Sequence, residues 1–234
     1  MHTGRGWSIH HGEAWEWLRS RASDSAGALV TDPPYSSGGF TRGDRMADPS
    51  TKYRTSDAGE VSETDTFEGD NRDQRAFAHW CALWLTEARR VVADGGVVAV
   101  ATDWRQLPTV CDAIQIGGFV WRGILVWTKK NATRPQRGRF RADAEFFVWG
   151  SAGALPMDGP VLPGTVDTFA AAEVSCSPVA GARRLHLTEK PAEGMAAGLG
   201  AVRPGRLGGG PFAGPGPGAG GGPRGARRTG DYRD

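Results

Sequence analysis

The sequence predicts an α/β fold, a Rossmann-like, doubly wound arrangement around a mainly parallel sheet. Apolar runs of strand length alternate with segments whose apolar residues repeat at helical spacing, which is the pattern of such a sheet. Glycine pairs at 95–96 and 117–118 follow two of the helical segments and predict where they end. The length of 234 residues is enough for one well-buried domain of this class and short for two.

The predicted elements follow one another as this fold requires. Residues 7–31 are typical of a short strand, a helix and a strand, and residues 36–75 lack any period, which predicts a long loop. Further along we predict these elements: helices over 75–92 and 104–116, and strands over 97–101, 119–127 and 145–149. Residues 150–184 show no clear period, and a weak helical pattern begins near Thr188. Tryptophans within these patterns are predicted to lie in the core: Trp80, Trp84, Trp121 and Trp127.

Composition changes sharply after residue 203. Glycine, at 35 residues, is far above average usage, and much of it lies together with proline in residues 204–225. Such a segment has too few apolar side chains to offset the backbone entropy that ordering would cost. We therefore predict that residues 204–234 form a disordered tail.

Charge and cysteine content exclude few classes of protein but favour an intracellular one. The formal net charge of +2 neither requires nor excludes nucleic acid as a partner. Cys81, Cys111 and Cys176 are odd in number and widely spaced, which predicts buried free thiols in a reducing cytoplasm. No apolar run approaches the roughly 20 residues of a membrane span, and residues 1–11 hold no signal-peptide core. We expect a cytoplasmic protein without a membrane partner or a metal site.

The strongest chemical signal directly follows the strand at 28–31: Asp32, Pro33, Pro34 and Tyr35. An isolated match of this kind would indicate an ordinary Pro-Pro turn, but functional groups collect at the carboxyl ends of strands in open α/β sheets. A carboxylate and a neighbouring carbonyl, held rigidly by two prolines, can accept hydrogen bonds from an exocyclic amine and localise its lone pair. The Tyr35 ring offers a flat surface for a base extruded from a duplex.

These residues and several later stretches resemble the beta-class DNA amino-methyltransferases, which act on N6 of adenine or N4 of cytosine. The likeness covers most of residues 7–202. It is clearest at residues 32–45 and continues, in the family's order, through four more stretches: 69–75, 102–106, 134–141 and 186–191. It implies the class I S-adenosylmethionine-dependent fold with permuted motif order. Residues 1–203 would form the catalytic domain, with target recognition at about 150–185. It also implies site-specific methylation of double-stranded DNA in a prokaryote or phage, with a restriction endonuclease among the partners to expect.

The resemblance assigns roles to individual residues. Catalysis falls to Asp32, Pro33, Pro34 and Tyr35, and binding of S-adenosylmethionine falls to a larger set: Glu13, Asp32, His186, Thr188, Lys190, Phe212, Gly214 and Gly216. Glu13 stands where the family usually has an aspartate, and a favourable charge in the first turn of a helix would explain it equally well. The stretch that begins at His186 is also typical of a threonine-capped helix start.

A basic segment between two predicted strands is expected to contact DNA phosphates. Every charged side chain between residues 129 and 141 is positive: Lys129, Lys130, Arg134, Arg137, Arg139 and Arg141. A solvated charged loop is the alternative interpretation. Phosphate contact is favoured because the segment joins two strands of the predicted catalytic sheet.

The glycine-rich cofactor loop of the family is altered in this sequence. Phe212, Gly214 and Gly216 match the family's loop. Three polar residues of the loop are lost, because its aspartate, serine and threonine are replaced by Gly210, Pro215 and Pro217. Glycines at 208–210 replace the preceding strand, although they lack the side chains that bury a central strand. The two prolines remove N–H groups from the loop, and no later strand pattern ending in an acid precedes Asp234. We expect a degenerate, truncated motif with weak or no cofactor binding.

Several functions stay open at this point. Methylation of adenine N6 is favoured because an aspartate, Asp32, precedes the Pro-Pro-Tyr, whereas some relatives have a serine there. Methylation of cytosine N4 is the alternative, and it would proceed by the same chemistry. The rival is a DNA-binding remnant that keeps the base pocket and the basic segment but cannot hold the cofactor. The third is a nucleic-acid interaction module with a basic tail, whose charges are Arg224, Arg227, Arg228 and Arg233.

Overall fold

The computed structural model describes residues 2–4, 7–36, 72–128, 137–138, 140–141, 143–157, 165–167 and 208–212. Within these ranges the chain forms a six-stranded sheet and a separate two-stranded ribbon. Most of the predicted loop at 36–75, of the predicted recognition segment and of the tail lies outside the described residues. None of the described helices is long and apolar enough to cross a membrane.

The described residues contain three helices and eight strands, and helices alternate with strands between residues 14 and 128. The ribbon pairs β1 (His2–Gly4) with β2 (Trp7–Ile9) in antiparallel fashion. The helices are α1 (Ala14–Ser20), α2 (Gln74–Val91) and α3 (Leu107–Ile116). The strands of the main sheet are β3 (Ala26–Thr31), β4 (Val92–Thr102), β5 (Val120–Thr128), β6 (Ala144–Ser151), β7 (Thr165–Asp167) and β8 (Gly208–Gly209).

The α/β class is confirmed, whereas the main sheet is mixed and the predicted mainly parallel sheet is not confirmed. Its strand order is β7-β5-β6-β4-β3-β8. Strand β3 runs parallel to β4 and β8, and β5 runs parallel to β7, whereas β6 runs antiparallel to both β4 and β5. A parallel return from β5 to β6 would need a crossover that packs on the sheet. The sequence between these strands is basic and has no apolar helical repeat, so the chain returns antiparallel.

Strand β3 is the central strand of the part of the sheet that bears the candidate site. All six of its residues are buried, as expected of a strand covered on both faces. Leu29 lies opposite Val98 of β4 on one side and Gly209 of β8 on the other. Because these three strands are parallel, their carboxyl ends emerge together. We call this side of the sheet, reached at Thr31, Thr102 and Gly209, the carboxyl edge.

Helix α2 contributes many of the apolar side chains of the core that packs against the sheet. The Asp73 carboxylate caps its first turn by accepting hydrogen bonds from the N–H groups of Arg75 and Ala76 at 3.1 and 3.0 Å. Its buried residues recur at helical spacing: Phe77, Cys81, Trp84, Leu85, Ala88 and Val91. Cys81 and Cys111 are buried free thiols, as predicted, and Cys176 lies outside the described residues. Burial raises the pKa of the Cys81 thiol to about 12, so this side chain is a neutral packing group.

Strand β4 begins at Val92, directly after α2 and well before the strand predicted at 97–101. It begins early because Val92 already pairs with Ala26 of β3. Gly96 follows where the ladder is irregular, and a Cβ atom there would lie 2.7 Å from the carbonyl oxygen of Gly27. The glycine pair predicted to end the helix therefore permits a close approach of two strands.

The tryptophans predicted to lie in the core differ in burial. Trp84 and Trp127 are buried, and Trp80 is partly buried against the same core as Trp84. Trp121 is 43% exposed, so the prediction is wrong for this residue. It lies in the first half of β5, and the described residues of β7 pair only with the range 126–128 of that strand. The first half of β5 is thus less covered than a central strand would be.

Gly208 and Gly209 form strand β8 of the sheet and residues 210–212 follow it, all within the segment predicted to be disordered from residue 204 onward. Gly208 and Gly209 pair with Ala28 and Leu29 of β3. A Cβ atom at Gly209 would lie 3.0 Å from Leu29 and 3.1 Å from Trp17, which shows that neighbouring side chains already fill the space beside the strand. Glycine is therefore suited to this strand, because its neighbours supply the packing that its own side chain cannot.

Phe212 anchors the turn that follows β8. The centroid of its ring lies 5.2 Å from that of Trp80 and 5.3 Å from that of Trp84, in tilted and edge-on geometries. Its N–H group donates a hydrogen bond to Thr31 Oγ1 at 3.3 Å. These contacts come from residues far away in the sequence, which the composition of the tail could not indicate.

Replacing Phe212 with alanine should lower the free energy of unfolding by roughly 1.5–3 kcal/mol, because the ring loses its apolar contacts with both tryptophans. Chemical denaturation of the full chain, followed by circular dichroism, measures the difference. Met157→Ala is the control, since this side chain is 99% exposed and its removal should cost less than about 0.5 kcal/mol. Equal stability of the Phe212→Ala variant and the unmodified chain would contradict the docking of this turn.

Candidate active site

Asp32 leaves the sheet at the carboxyl edge, directly after Thr31 ends β3. Pro33 and Ser36 are buried, while Asp32, Pro34 and Tyr35 are partly buried, so the whole stretch packs into this edge. Neither proline can donate a hydrogen bond to a strand ladder, which explains why the strand ends here. The predicted position of Asp32, at the carboxyl end of a buried strand, agrees with the structure.

The Tyr35 hydroxyl lies between two carboxylates. It donates a hydrogen bond to Asp32 Oδ1 at 2.8 Å, and Glu145 Oε2 on β6 accepts from it at 3.4 Å. Burial raises the pKa of Tyr35 well above its usual value, and the negative charges of Asp32 and Glu145 raise it further. The hydroxyl is therefore a protonated donor at neutral pH. Sequence reasoning missed Glu145, because a single glutamate in a strand pattern carries no local signal.

The Tyr35 ring packs against a small apolar cluster to which three strands contribute. Its buried members are Ala101 of β4, Trp127 of β5 and Phe147 of β6, and Leu125 packs beside them. The cluster supports the ring while its hydroxyl points to the carboxylates. The ring is therefore held at both its apolar and its polar end.

A distant glutamine supports the backbone directly after Tyr35. Ser36 has a backbone φ of 53°, in the left-handed region that residues other than glycine seldom adopt. The buried Gln106 donates from Nε2 to the Ser36 carbonyl oxygen at 3.3 Å, and its Oε1 accepts from Gln74 Nε2 at 2.9 Å. Gln74 also donates to Thr109 Oγ1. Sequence reasoning placed Gln106 within a matching stretch but gave it no role.

Asp103 shapes the turn that presents Gln106 to the site. Its Oδ1 accepts hydrogen bonds from the N–H groups of Arg105 at 3.0 Å and Gln106 at 3.1 Å. Its charge is also among those that raise the pKa of Tyr35. The turn after β4 thus brings a third carboxylate near the tyrosine.

The exposed Trp104 and the partly buried Arg105 lie side by side on the same turn. Trp104 is 55% exposed, and the guanidinium of Arg105 lies 4.8 Å from the centroid of its ring. Nη1 of Arg105 also lies 3.8 Å from Asp103 Oδ2, which helps to orient it. An aromatic ring beside a cation is typical of surfaces that contact nucleic acid. Sequence reasoning did not single out this pair.

The turn at residues 210–212 lies beside Asp32 because β3 and β8 are adjacent and parallel. Thr31 links the two: it precedes Asp32 in the chain, and its Oγ1 accepts the hydrogen bond from Phe212. Gly210 begins the turn without a side chain that could obstruct a ligand. In open α/β sheets, ligands bind beyond the carboxyl ends of parallel strands. These residues therefore fit a cofactor bound at this point.

Glu13 is exposed at the beginning of α1. It occupies the N-cap position, with φ −71° and ψ 131°, and its side chain forms no capping hydrogen bond. The helix covers β8 through Trp17, whose ring lies beside Gly209. Glu13 thus begins the helix that packs over the strand leading to the candidate cofactor turn.

Only part of the basic segment is described, and that part is exposed. Arg137 and Arg141 are exposed, and Nε of Arg141 lies 3.3 Å from Asp143 Oδ2. Phe140 between them is fully exposed. Residues with predicted DNA or cofactor roles that lie outside the described residues are Lys129, Lys130, Arg134, Arg139, His186, Thr188, Lys190, Gly214 and Gly216. Their roles stay predictions.

Comparison with known families gives a match over much of the chain. The N6/N4 family of DNA methylases matches residues 27–175, which is more than half of the sequence. The matched range includes Asp32, Tyr35, Gln106 and Glu145.

Solved structures share the fold at low sequence identity. PvuII DNA methyltransferase, which is cytosine-N4-specific, is 14% identical over 88% of this chain and 77% of its own, with a TM-score of 0.59. TTHA0409 of Thermus thermophilus, assigned as a DNA modification methylase and solved with S-adenosyl-L-methionine, is 15% identical over 87% and 79%, with a TM-score of 0.54. M1.HpyAVI, also solved with this cofactor, is 17% identical over 88% and 82%, with a TM-score of 0.52. The α/β fold is thus that of DNA methyltransferases.

The raised pKa of Tyr35 predicts a late titration. Burial favours the neutral phenol, so the stability that it contributes is fully present below about pH 10 and is lost as the pH rises through the folded-state pKa. Tyr35→Phe should therefore leave unchanged the tyrosinate absorbance that develops near pH 10, and should remove absorbance only at higher pH. A decrease of the signal near pH 10 in this variant would show that Tyr35 titrates normally and would contradict the described environment.

Proposed function

This chain belongs to the N6/N4 DNA methylase family, and we propose that it transfers a methyl group from S-adenosylmethionine to N6 of adenine in double-stranded DNA. Enzymes of this family methylate the exocyclic amine of adenine or cytosine. The observation that carries the proposal is the Asp32 carboxylate, which stands at the carboxyl edge beside the turn at Phe212 and accepts a hydrogen bond from Tyr35.

Asp32 and the Pro33 carbonyl are the proposed acceptors for the amine of the base. The lone pair of this amine is delocalised into the ring, which makes the nitrogen a poor nucleophile. Acceptors that bind its N–H groups favour a tetrahedral nitrogen and so localise the lone pair for attack. The prolines and the 2.8 Å hydrogen bond from Tyr35 hold the carboxylate in place before the base arrives.

S-adenosylmethionine, when bound, would supply an electrophilic methyl group. The glycine-bearing turn beside Asp32 supports its placement there, because ligands of open α/β sheets bind beyond such strand ends. The residues proposed to hold it are Asp32 and Glu13, the turn at 210–212 and, by resemblance to the family, His186, Thr188, Lys190, Gly214 and Gly216. The catalytic domain is accordingly proposed to span residues 1–203 and to include the stretch at 208–212, with target recognition at about 150–185.

The base must leave the duplex to reach Asp32. The Tyr35 ring is proposed to receive it, because the ring is supported from behind by the apolar cluster of β4, β5 and β6. Adenine is the proposed target because the family resemblance associates Asp32 at this position with N6 methylation. The same fold serves cytosine N4 in the PvuII enzyme, so N4 of cytosine is the second outcome that a product analysis must separate.

Asp32→Ala should lower methyl transfer by at least about a hundredfold without unfolding the chain, because the carboxylate acts mainly in the transition state. The measurement is nucleoside mass spectrometry of duplex DNA incubated with S-adenosylmethionine, which separates N6-methyladenine from N4-methylcytosine. Asp112→Ala, an exposed aspartate on α3, is the matched control and should retain full activity. Retention of most of the N6-methyladenine signal by Asp32→Ala would contradict the catalytic assignment. DNA binding without any methylated product from the unmodified chain would support the DNA-binding remnant.

Replacing Arg137, Arg139 and Arg141 together with glutamine should weaken DNA binding on every sequence tested. Each phosphate contact that is lost should reduce the slope of log affinity against log salt by about 0.9. Fluorescence anisotropy with a labelled duplex over a salt series measures this slope, and Arg19→Gln, an exposed arginine on α1, is the control. An unchanged slope in the triple variant would assign the basic segment to a solvated loop.

A further inference from the structure

Glu145 places a carboxylate at the site from a strand that carries none of the predicted catalytic residues. In the β5–β6 register Glu145 lies opposite Trp127, and Phe147 lies opposite Leu125. Residues two apart in a strand project from the same face, so Glu145 and Phe147 face the same side of the sheet. Phe147 and Trp127 form the apolar cluster on which Tyr35 packs. The register of β6 therefore delivers the Glu145 carboxylate to the Tyr35 hydroxyl.

The hydroxyl of Tyr35 has one proton and two carboxylate acceptors. The hydroxyl oxygen lies 2.8 Å from Asp32 Oδ1 and 3.4 Å from Glu145 Oε2, so the shorter hydrogen bond is the one to Asp32. A phenol can donate to only one of them at full strength. The high pKa of Tyr35 means that the proton stays on the hydroxyl whichever carboxylate receives it.

Binding of an exocyclic amine changes which hydrogen bonds the Asp32 carboxylate accepts. In the proposed reaction this carboxylate accepts hydrogen bonds from the amine of the base. A short hydrogen bond from Tyr35 to Asp32 Oδ1 draws electron density away from the carboxylate and makes it a weaker acceptor for that amine. Rotation of the hydroxyl about its C–O bond would transfer the donated hydrogen bond to Glu145. No heavy atom has to move far, because the ring stays packed on Trp127 and Phe147.

We propose that Glu145 is a positioning residue of the methyl-acceptor site, which takes over the hydrogen bond of the Tyr35 hydroxyl and so leaves Asp32 to the amine of the base. Glu145 acts through Tyr35 and does not contact the reacting atoms. This inference rests on the proposed function, since Asp32 needs to be relieved of the tyrosine only if it receives an amine.

A double-mutant cycle on the full chain tests the coupling. Glu145→Ala should lower kcat for methyl transfer by about tenfold or more, with KM for DNA changed by less than about threefold, because the base still binds but Asp32 is less available. Glu145→Gln should recover part of the loss, since its amide oxygen can accept the same hydrogen bond. In a Tyr35→Phe background Glu145→Ala should have almost no further effect, because no hydroxyl remains for it to bind. Glu16→Ala, an exposed glutamate on α1, is the control in both backgrounds.

The tyrosine environment is measured independently of activity. In a chain with 13C-labelled tyrosine, the resonance that Tyr35→Phe removes belongs to Tyr35. Glu145→Ala and Glu145→Gln should shift this resonance, whereas Glu16→Ala should leave it in place. Because this readout needs neither cofactor nor DNA, it separates failure of the inference from failure of the proposed methyl transfer.

The outcomes divide clearly. A shifted resonance together with a loss of kcat that disappears in the Tyr35→Phe background supports the inference. An unshifted resonance overturns it whatever the activity, and so does an equal loss of kcat in both backgrounds, which would indicate a merely structural role.

If the unmodified chain transfers no methyl group to DNA, the proposed function fails and the inference fails with it, even where the resonance shift shows that the hydrogen bond exists. If Glu145→Ala does not fold, Glu145→Gln decides by the same two readouts.

Discussion

The parallel pairing of β3 with β4 on one side and β8 on the other is the constraint on which the site depends. Every residue of β3 is buried, and a shift of its register by one residue would exchange the side chains that are packed on the two faces of the sheet. This register fixes the level at which Asp32 leaves the sheet. It also brings the turn after β4, with Asp103 and Gln106, and the turn after β8, with Phe212, to the same edge. Residues from three distant parts of the chain meet there because three strands end side by side.

Around Asp32 the site is held mostly by long-range contacts. Tyr35 donates to Asp32 within the same loop, but the ring rests on residues of β4, β5 and β6, and its hydroxyl also reaches Glu145. The backbone after Tyr35 is fixed by Gln106, which is itself bound by Gln74 at the start of α2. A loop with so many fixed partners can hold its acceptor atoms in place before the base arrives, which is the condition that electrostatic catalysis requires.

The division between what the sequence could predict and what it could not follows the range of the interactions. Asp32 after a buried strand, the helix over 74–91 and the free buried thiols are local patterns, and the structure agrees with them. The antiparallel β6 and the pairing of Gly208–Gly209 with β3 depend on partners far away in the sequence, and both differ from the predictions. The roles of Gln106 and Glu145 depend on such partners too. Phe212 shows the reason most clearly, because its ring packs on two tryptophans of α2 that lie more than a hundred residues earlier in the chain.

The proposed amine-acceptor residues around Asp32 are held by several contacts, whereas the proposed cofactor turn pairs with the sheet but differs from the family's sequence at Gly210, Pro215 and Pro217. Cofactor affinity is therefore expected to limit the activity of this chain. Calorimetric titration of S-adenosylmethionine into the full chain tests this directly, in comparison with a variant that carries Gly210→Asp, Pro215→Ser and Pro217→Thr. The account predicts that the variant binds at least about tenfold more tightly, because it regains a carboxylate and two N–H donors, and each net hydrogen bond contributes about 0.5–1.5 kcal/mol. Micromolar binding by the unmodified chain, with no gain in the variant, would contradict it.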